Sequence, residues 1–176
     1  MRILAISGSL RKASLNTQLL QVAKEIAPEG VAVHLYEGLG ALPLFNPDLE
    51  GREPSTVIDF QKQLASSDAV LIASPEYAHG VTGAMKNALD WIVASTEFSG
   101  KPVGILNAAE RAHHAWNALQ EIITTMDGNL IPDACLIISL TGSTLTVDEM
   151  KQEPRITSPL VNAMTALTHP VKATAS

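Results

Sequence analysis

The sequence predicts a doubly wound α/β fold, in which a five-stranded parallel sheet is covered by helices on both faces. Five short apolar stretches rich in β-branched residues alternate with segments whose apolar residues recur at helical spacing. Nearly continuous apolar character is typical of strands buried on both faces, and the alternation with helices is typical of parallel sheets. With 176 residues, 46% of them hydrophobic, the chain has enough apolar material for the core of one such domain.

The predicted strands are spread along the first 140 residues. They are Ile3–Ile6, Val31–Leu35, Ala69–Ala73, Val103–Leu106 and Ala134–Leu140. Ligands of doubly wound sheets gather at the carboxyl ends of the strands. We therefore expect the functional residues in the loops that follow the first, third and fourth strands.

Helices are predicted between the strands from stripes of apolar residues. The stripes are Leu15, Leu19, Val22 and Ile26; Val57, Phe60 and Leu64; Val81, Met85, Leu89 and Ile92; and Ala112, Ala115, Leu119, Ile122 and Met126. Pro54 followed by Ser55 predicts the start of the second helix. We expect a single domain over residues 1–176, with a flexible tail at 169–176.

Composition excludes several classes of function. The net charge of −6 is spread along the chain without a basic run, which argues against nucleic-acid or anionic-membrane partners. The single cysteine, Cys135, excludes an internal disulfide and a multi-cysteine metal centre. The first apolar stretch is too short for a signal-peptide core, and no apolar run approaches the roughly 20 residues of a membrane span. We expect a soluble, cytoplasmic protein without a metal ion.

The loop after the first strand has the composition of an anion site. Ser7–Asn16 contains hydroxyl and amide side chains, Arg11 and Lys12, and it precedes an amphipathic helix. Free N–H groups at a helix N-terminus attract a phosphate, and an arginine can bind two of its oxygens. Neither dinucleotide nor P-loop glycine motifs are present, so a terminal phosphate is favoured over a pyrophosphate. The alternative is an ordinary turn in which Ser14 or Asn16 caps the helix.

The loop after the third strand has the composition of a site for a planar ring. Ser74–Gly83 contains proline, glycine and an aromatic residue, so its backbone can approach a flat ligand while Tyr77 offers a stacking face. The alternative is a capped loop followed by a core residue, Trp91.

Taken in order, these fragments resemble the NADPH-dependent FMN reductases, a family of flavodoxin-like flavoproteins that includes quinone, azo-dye and chromate reductases. The resemblance covers roughly residues 1–140. It is carried by Gly8-Ser9-Leu10-Arg11 with Ser14 and Asn16, Pro75-Glu76-Tyr77, Gly83, Lys86-Asn87-Ala88-Leu89-Asp90-Trp91 and Lys101-Pro102-Val103.

The resemblance implies a flavodoxin-like fold with bound FMN, NADPH or NADH as electron donor, and a homodimer or homotetramer. The acceptor would be a small molecule such as a quinone, free flavin, an azo compound or a metal oxyanion. No catalytic side chain is implied, because the cofactor carries the chemistry. The implied cofactor-binding residues are Ser9, Arg11, Ser14, Leu15, Asn16, Pro75, Glu76, Tyr77, Ala78, His79, Asn107 and Ala108. Residues Leu42–Leu49 resemble the family's second loop, near the subunit interface and flavin.

Three departures from the family pattern keep other functions open. Ala78 stands where the family usually has asparagine, and Thr82 where it usually has proline. Residues Asn107–His114 replace a serine and several glycines, so side chains restrict how closely the backbone approaches a ring. One alternative is therefore a flavodoxin-like FMN-binding or electron-carrier protein without nicotinamide turnover. Another is a hydrolase or transferase for a phosphate ligand on the same fold.

Overall fold

The computed structural model describes residues 1–169 and contains one five-stranded, all-parallel sheet in the order β2-β1-β3-β6-β7. The strands are β1 (Arg2–Ser7), β2 (Ala32–Tyr36), β3 (Ala69–Ala73), β4 (Glu76–Tyr77), β5 (Gly80–Val81), β6 (Pro102–Asn107) and β7 (Asn129–Ile137). The helices are α1 (Leu15–Glu25), α2 (Ser55–Ala65), α3 (Gly83–Asp90), α4 (His113–Thr125), α5 (Val147–Met150) and α6 (Pro154–Thr168). The predicted fold class is confirmed.

The sheet is buried between two hydrophobic cores. Along β1, Ile3 and Ala5 belong to the core on one face, and Leu4 and Ile6 belong to the core on the other. Buried residues of α1, α5 and α6 complete the first core, and those of α2, α3 and α4 complete the second. Both faces of each central strand are covered, which is why the strands are almost continuously apolar.

The strand order places the topological switch point between β1 and β3. These two strands are neighbours in the sheet, but α1 after β1 and α3 after β3 pack on opposite faces. The chain therefore continues from the two strands towards opposite faces of the sheet, as at the ligand-binding switch point of doubly wound sheets. The first four predicted strands lie within one residue of the observed bounds at either end.

The fifth strand begins earlier than predicted. The predicted range Ala134–Leu140 was wrong at both ends, because β7 covers Asn129–Ile137. Its pairing with β6 is irregular between Val103 and Ile105, where β7 contains the exposed residues Pro132 and Asp133. Proline and aspartate are uncommon in strands, so the N-terminal half of β7 was not recognised as a strand from its sequence.

The short strands β4 and β5 and the helices α5 and α6 were not predicted. Val81 lies in β5 and not in the third helix, because Glu76–Val81 form a hairpin before α3 begins. Helix α6 begins with Pro154 at its first position and includes Pro159, so its prolines obscured a buried apolar stripe. Apart from His169, which ends α6, the expected tail at 169–176 lies outside the described residues.

No helix within residues 1–169 combines the length and apolar character that crossing a bilayer requires.

Candidate functional site

The β1–α1 loop is supported by hydrogen bonds within its own sequence. The Ser7 and Thr17 hydroxyl oxygens are 2.7 Å apart, and the Ser14 hydroxyl accepts a hydrogen bond of 3.3 Å from Thr17 N–H. Ser14 is therefore the N-cap of α1, as one interpretation of the sequence proposed. The Ser9 hydroxyl accepts a hydrogen bond of 3.3 Å from Arg11 N–H and fixes the next turn of the loop.

This loop presents a donor set suited to a phosphate. Arg11 is exposed, and the Ser9 and Ser14 hydroxyls, which accept from the backbone, keep their protons for donation. The N–H groups of Leu15 and Asn16, in the first turn of α1, have no hydrogen-bond acceptor within residues 1–169. A cation, hydroxyls and free helix N–H groups match the oxygens and charge of the FMN phosphate, so these residues fit that group.

A cleft adjoins the loop on its β2 side. It has a volume of about 780 Å³ and is lined by Ser9, Arg11, Tyr36 and Glu37 among others. Burial, reinforced by the negative charge of Asp59, raises the pKa of Tyr36 to about 12. Tyr36 is therefore a neutral hydroxyl group at physiological pH.

The loops after β1 and β3 are in direct contact. Gly8 N–H donates to the Ala73 carbonyl at 2.8 Å, and the Thr82 hydroxyl donates to the Gly8 carbonyl at 2.7 Å. A Cβ on Gly8 would lie 2.2 Å from Ser74 Oγ, so this approach requires glycine. The same Thr82 hydroxyl accepts from Met85 N–H and caps α3. Thr82, which departs from the family's proline, thus joins two loops of the site.

The β3 loop forms a tight hairpin. Glu76 pairs with Val81 and Tyr77 with Gly80, and the two central residues, Ala78 and His79, have φ values of 49° and 57°. Positive φ at both positions is typical of a type I′ turn, in which asparagine and glycine are favoured. This explains why an asparagine suits position 78 and why the alanine there is strained. Tyr77 beside the turn is 57% exposed.

Glu76 contacts the next loop instead of pointing away from the protein. Its carboxylate accepts a hydrogen bond of 2.8 Å from Ala115 N–H in the first turn of α4. The N-cap position of that helix is Ala112, which provides no capping side chain. The hydrogen bond from Ala115 lowers the pKa of Glu76, and His114 and His79 lower it further. Glu76 therefore caps α4 as a carboxylate.

A pair of histidines makes a second contact between the same loops. The rings of His79 and His114 are stacked, with centroids 4.3 Å apart and planes 12° apart. Both residues are exposed. The β3 hairpin is therefore joined to the start of α4 at two points.

Asn16, Asn107 and Ala108 are buried beneath the loops. Asn16 Oδ1 accepts from Ala108 N–H at 3.2 Å, and the Ala108 carbonyl accepts from Leu140 N–H at 2.9 Å. Asn107 Oδ1 accepts from Ala109 N–H at 2.9 Å. These contacts join the β1 and β6 loops and support the site from within; direct binding of a cofactor by these residues stays a prediction.

Helix α3 and the residue that follows it hold the segment Leu42–Leu49, a role that the sequence did not reveal. Asn87 accepts from Phe45 N–H at 2.8 Å and donates to the Pro43 carbonyl at 2.9 Å. Trp91 donates to the same carbonyl at 2.7 Å, and its ring meets that of Phe45 edge-on. Trp91 is thus both a core residue and a hydrogen-bond donor. The Lys86–Trp91 motif was the available signal, but spacing alone did not reveal its partner.

Comparison with known proteins places these features in a family. The NADPH-dependent FMN reductase family matches residues 1–141. An NAD(P)H-dependent FMN reductase of Pseudomonas aeruginosa is 40% identical over 111 residues, which are 61% of this chain and 60% of that protein. The match therefore spans less than two thirds of that relative. A quinone reductase of Escherichia coli is 30% identical over 138 residues, 72% of this chain and 71% of that protein.

A solved structure of a flavoenzyme has the same fold as this chain. The flavoenzyme NAD(P)H:(acceptor) oxidoreductase FerB from Paracoccus denitrificans superimposes with a TM-score of 0.74 at 26% identity, covering 93% of this chain and 97% of that one. The predicted flavodoxin-like fold is confirmed. The names of the matching family and of these relatives agree with the expected FMN cofactor, NAD(P)H donor and oxidoreductase class. This chain belongs to the NADPH-dependent FMN reductase family.

Proposed function

We propose that this chain is an FMN-dependent NAD(P)H oxidoreductase that reduces a small acceptor such as a quinone, free flavin, an azo compound or a metal oxyanion. The observation that carries the proposal is the donor set of the β1–α1 loop, which combines Arg11 with free N–H groups at the start of α1. This loop leaves β1 at the β1–β3 switch point and adjoins the cleft on its β2 side, in a chain from an FMN reductase family. Relatives named quinone reductase support the choice of acceptor class.

Ser9, Arg11, Ser14 and the N–H groups of Leu15 and Asn16 would hold the phosphate. The Asn16 side chain contributes differently, because its Oδ1 is hydrogen-bonded to the β6 loop and keeps that loop beside the phosphate residues. Bound FMN supplies the two-electron redox chemistry that amino-acid side chains do not provide. The contribution of the protein is to bind and orient, since correct alignment of reactants accounts for much of the rate gain.

The β3 hairpin would border the ring. Pro75, Ala78 and His79 belong to this segment, and Tyr77 offers an exposed aromatic face for a flat ligand. Glu76 already caps α4, so we assign it a supporting role in place of a ligand contact. Asn107 and Ala108 form the buried base of the neighbouring loop.

We include a homodimer or homotetramer and a cytoplasmic location in the proposal. Leu10 and Tyr77 in the loops of the site are exposed, and Leu44 in the segment held by α3 is 83% exposed. Such apolar side chains are suited to being covered by a second copy. Use of NAD(P)H and a single free thiol, Cys135, agree with a reducing compartment.

Reconstitution with FMN tests the proposal. After incubation with FMN and desalting, the protein is expected to keep a flavin absorbance spectrum and to oxidise NADPH or NADH in the presence of a quinone. Arg11→Ala is expected to weaken FMN binding about 10- to 100-fold, because a charge-assisted contact is lost. Lys24→Ala is the matched control, since it removes one positive charge from the last turn of α1, at the end of that helix away from the Arg11 loop.

The outcomes separate the functions left open by the sequence. FMN binding without NAD(P)H oxidation would favour the electron-carrier alternative. A protein that retains no flavin, with equal behaviour of the Arg11 and Lys24 variants, would contradict the proposed function.

A further inference from the structure

We propose that Glu76 is a positioning residue that fixes the β6–α4 loop, residues 108–112, in the conformation required for cofactor binding. It acts with the stacked rings of His79 and His114, and we call these two contacts the hairpin clasp. The inference rests on the proposed function, because it concerns the shape of the same site.

Helix α4 depends on the clasp for its N-terminus. Its N-cap residue is Ala112, and its first turn contains no acidic residue. Helices usually satisfy their first N–H groups with a side chain from the N-cap and gain from a nearby negative charge. The Glu76 carboxylate supplies both from another loop, through its hydrogen bond with Ala115 N–H.

The two halves of the β6–α4 loop are held differently. The first half is anchored to neighbouring elements, because Ala108 is bonded to Asn16 of α1 and to Leu140 after β7, and Ala109 N–H is bonded to Asn107 at the end of β6. The second half contains the exposed residues 110 and 111. It is connected to the first half by a turn bond of 3.2 Å from Ala112 N–H to the Ala109 carbonyl and by a long hydrogen bond of 3.5 Å from Asn107 Nδ2 to the Ala112 carbonyl. The Glu76 cap holds the helix start into which this second half leads.

The clasp also determines how the β3 hairpin presents its aromatic residue. Adjacent residues of a strand point to opposite faces. Since Glu76 is directed towards α4, its neighbour Tyr77 faces the other way, where it is largely exposed. One carboxylate therefore positions two borders of the proposed ring site, and the His79–His114 stack keeps the far end of the hairpin in place.

The inference is tested by comparing loop dynamics with cofactor affinity in four variants. Amide hydrogen exchange of residues 108–115 is measured without cofactor, and FMN dissociation constants are measured by fluorescence quenching. Glu76→Ala is expected to accelerate exchange in this segment and to weaken FMN binding about tenfold, because the competent loop conformation becomes a minority. Glu76→Gln keeps an acceptor oxygen and is expected to recover most of both effects. His114→Ala is expected to accelerate exchange in the same segment and to weaken FMN binding about threefold.

Glu149→Ala is the matched control, since Glu149 completes the capping box of α5 and is not part of the site. It is expected to destabilise that helix and to leave FMN affinity unchanged. Faster exchange at 108–115 in Glu76→Ala with unchanged FMN affinity would overturn the inference and leave the proposed function standing. Wild-type protein without FMN affinity would overturn both. If Glu76→Ala does not fold, amide exchange of residues 108–115 and FMN affinity are measured for Glu76→Gln and His114→Ala, and the inference is judged on those two variants.

Discussion

The loop after β1 and the loop after β6 lie at the same edge of the sheet, but they are held by different means. In the β1–α1 loop, Ser7, Ser9 and Ser14 satisfy backbone or side-chain groups within ten residues of themselves. In the β6–α4 loop, the helix cap comes from Glu76, which is 39 residues away from its partner Ala115. The first loop is largely self-supporting, and the second depends on its neighbours.

The comparison shows that one site can combine a loop held by local hydrogen bonds with a loop held by contacts to distant segments. The phosphate side is held by hydrogen bonds between residues that are close in the sequence, whereas on the ring side the start of α4 is capped by Glu76 of the β3 hairpin. The comparison can be tested by breaking each kind of support in turn.

The largest effect is expected from Gly8→Ala, which disturbs the point where the first loop meets the β3 loop. The new Cβ would lie 2.2 Å from Ser74 Oγ and 3.2 Å from Ser74 Cα, so the two loops must separate. We expect a loss of about 3 kcal/mol in the free energy of unfolding, measured by chemical denaturation. Gly83→Ala is the control, because a Cβ there meets nothing within 4 Å. Equal destabilisation by both changes would contradict the prediction.

Asn16→Leu is expected to have the next largest effect, because it removes the contact by which the first loop supports the second. Ala108 N–H would be left buried without its acceptor, at a cost of about 1–3 kcal/mol in the free energy of unfolding. Asn16→Asp keeps an acceptor oxygen and is expected to lose less stability in the same denaturation experiment. If both variants lose the same unfolding free energy, the loss of stability is not caused by the missing hydrogen bond to Ala108.

Ala78→Asn is expected to strengthen the hairpin on which the second loop depends. Ala78 has a positive φ of 49°, a conformation that asparagine tolerates better than alanine. The expected gain in the free energy of unfolding is about 0.5–1 kcal/mol. Ala94→Asn, at an exposed position without positive φ, should give no gain. A change of the same sign and size at both positions would rule out relief of turn strain.

The smallest effect is a pH dependence confined to the second loop. Because the Ala115 hydrogen bond lowers the pKa of Glu76, folding is favoured above the ordinary glutamate pKa by the charged cap. This contribution is lost as the pH falls from that ordinary value to the lowered one. The difference in unfolding free energy between wild type and Glu76→Gln should therefore shrink over that interval. A difference that does not vary with pH would show that charge is irrelevant to the cap.

The sequence was informative wherever the cause of a structure is local. Four strands, the start of α2 after Pro54 and the Ser14 cap follow from short patterns of apolar residues or from single capping residues. The β1–α1 donor set could be predicted for the same reason, since its parts are neighbours in the chain.

The parts that escaped prediction are set by contacts between distant residues. The side chain of Glu76 meets Ala115, and Asn87 and Trp91 meet Pro43, only after the sheet has brought their elements together. The hairpin was not predicted because Ala78 occupies a turn position where asparagine or glycine is usual and would have indicated the turn. The resemblance located these motifs but did not identify the partner of each side chain.

The irregular course of β7 has a consequence for how copies of the chain can meet. At this border of the sheet, a proline and a charged residue, Pro132 and Asp133, occupy exposed positions where another polypeptide would need continuous main-chain pairing. An edge strand of this kind does not readily pair with a strand of another molecule, which protects against fibrous aggregation. Self-association of this molecule is thereby directed towards side-chain surfaces, leaving the backbone of β7 uninvolved.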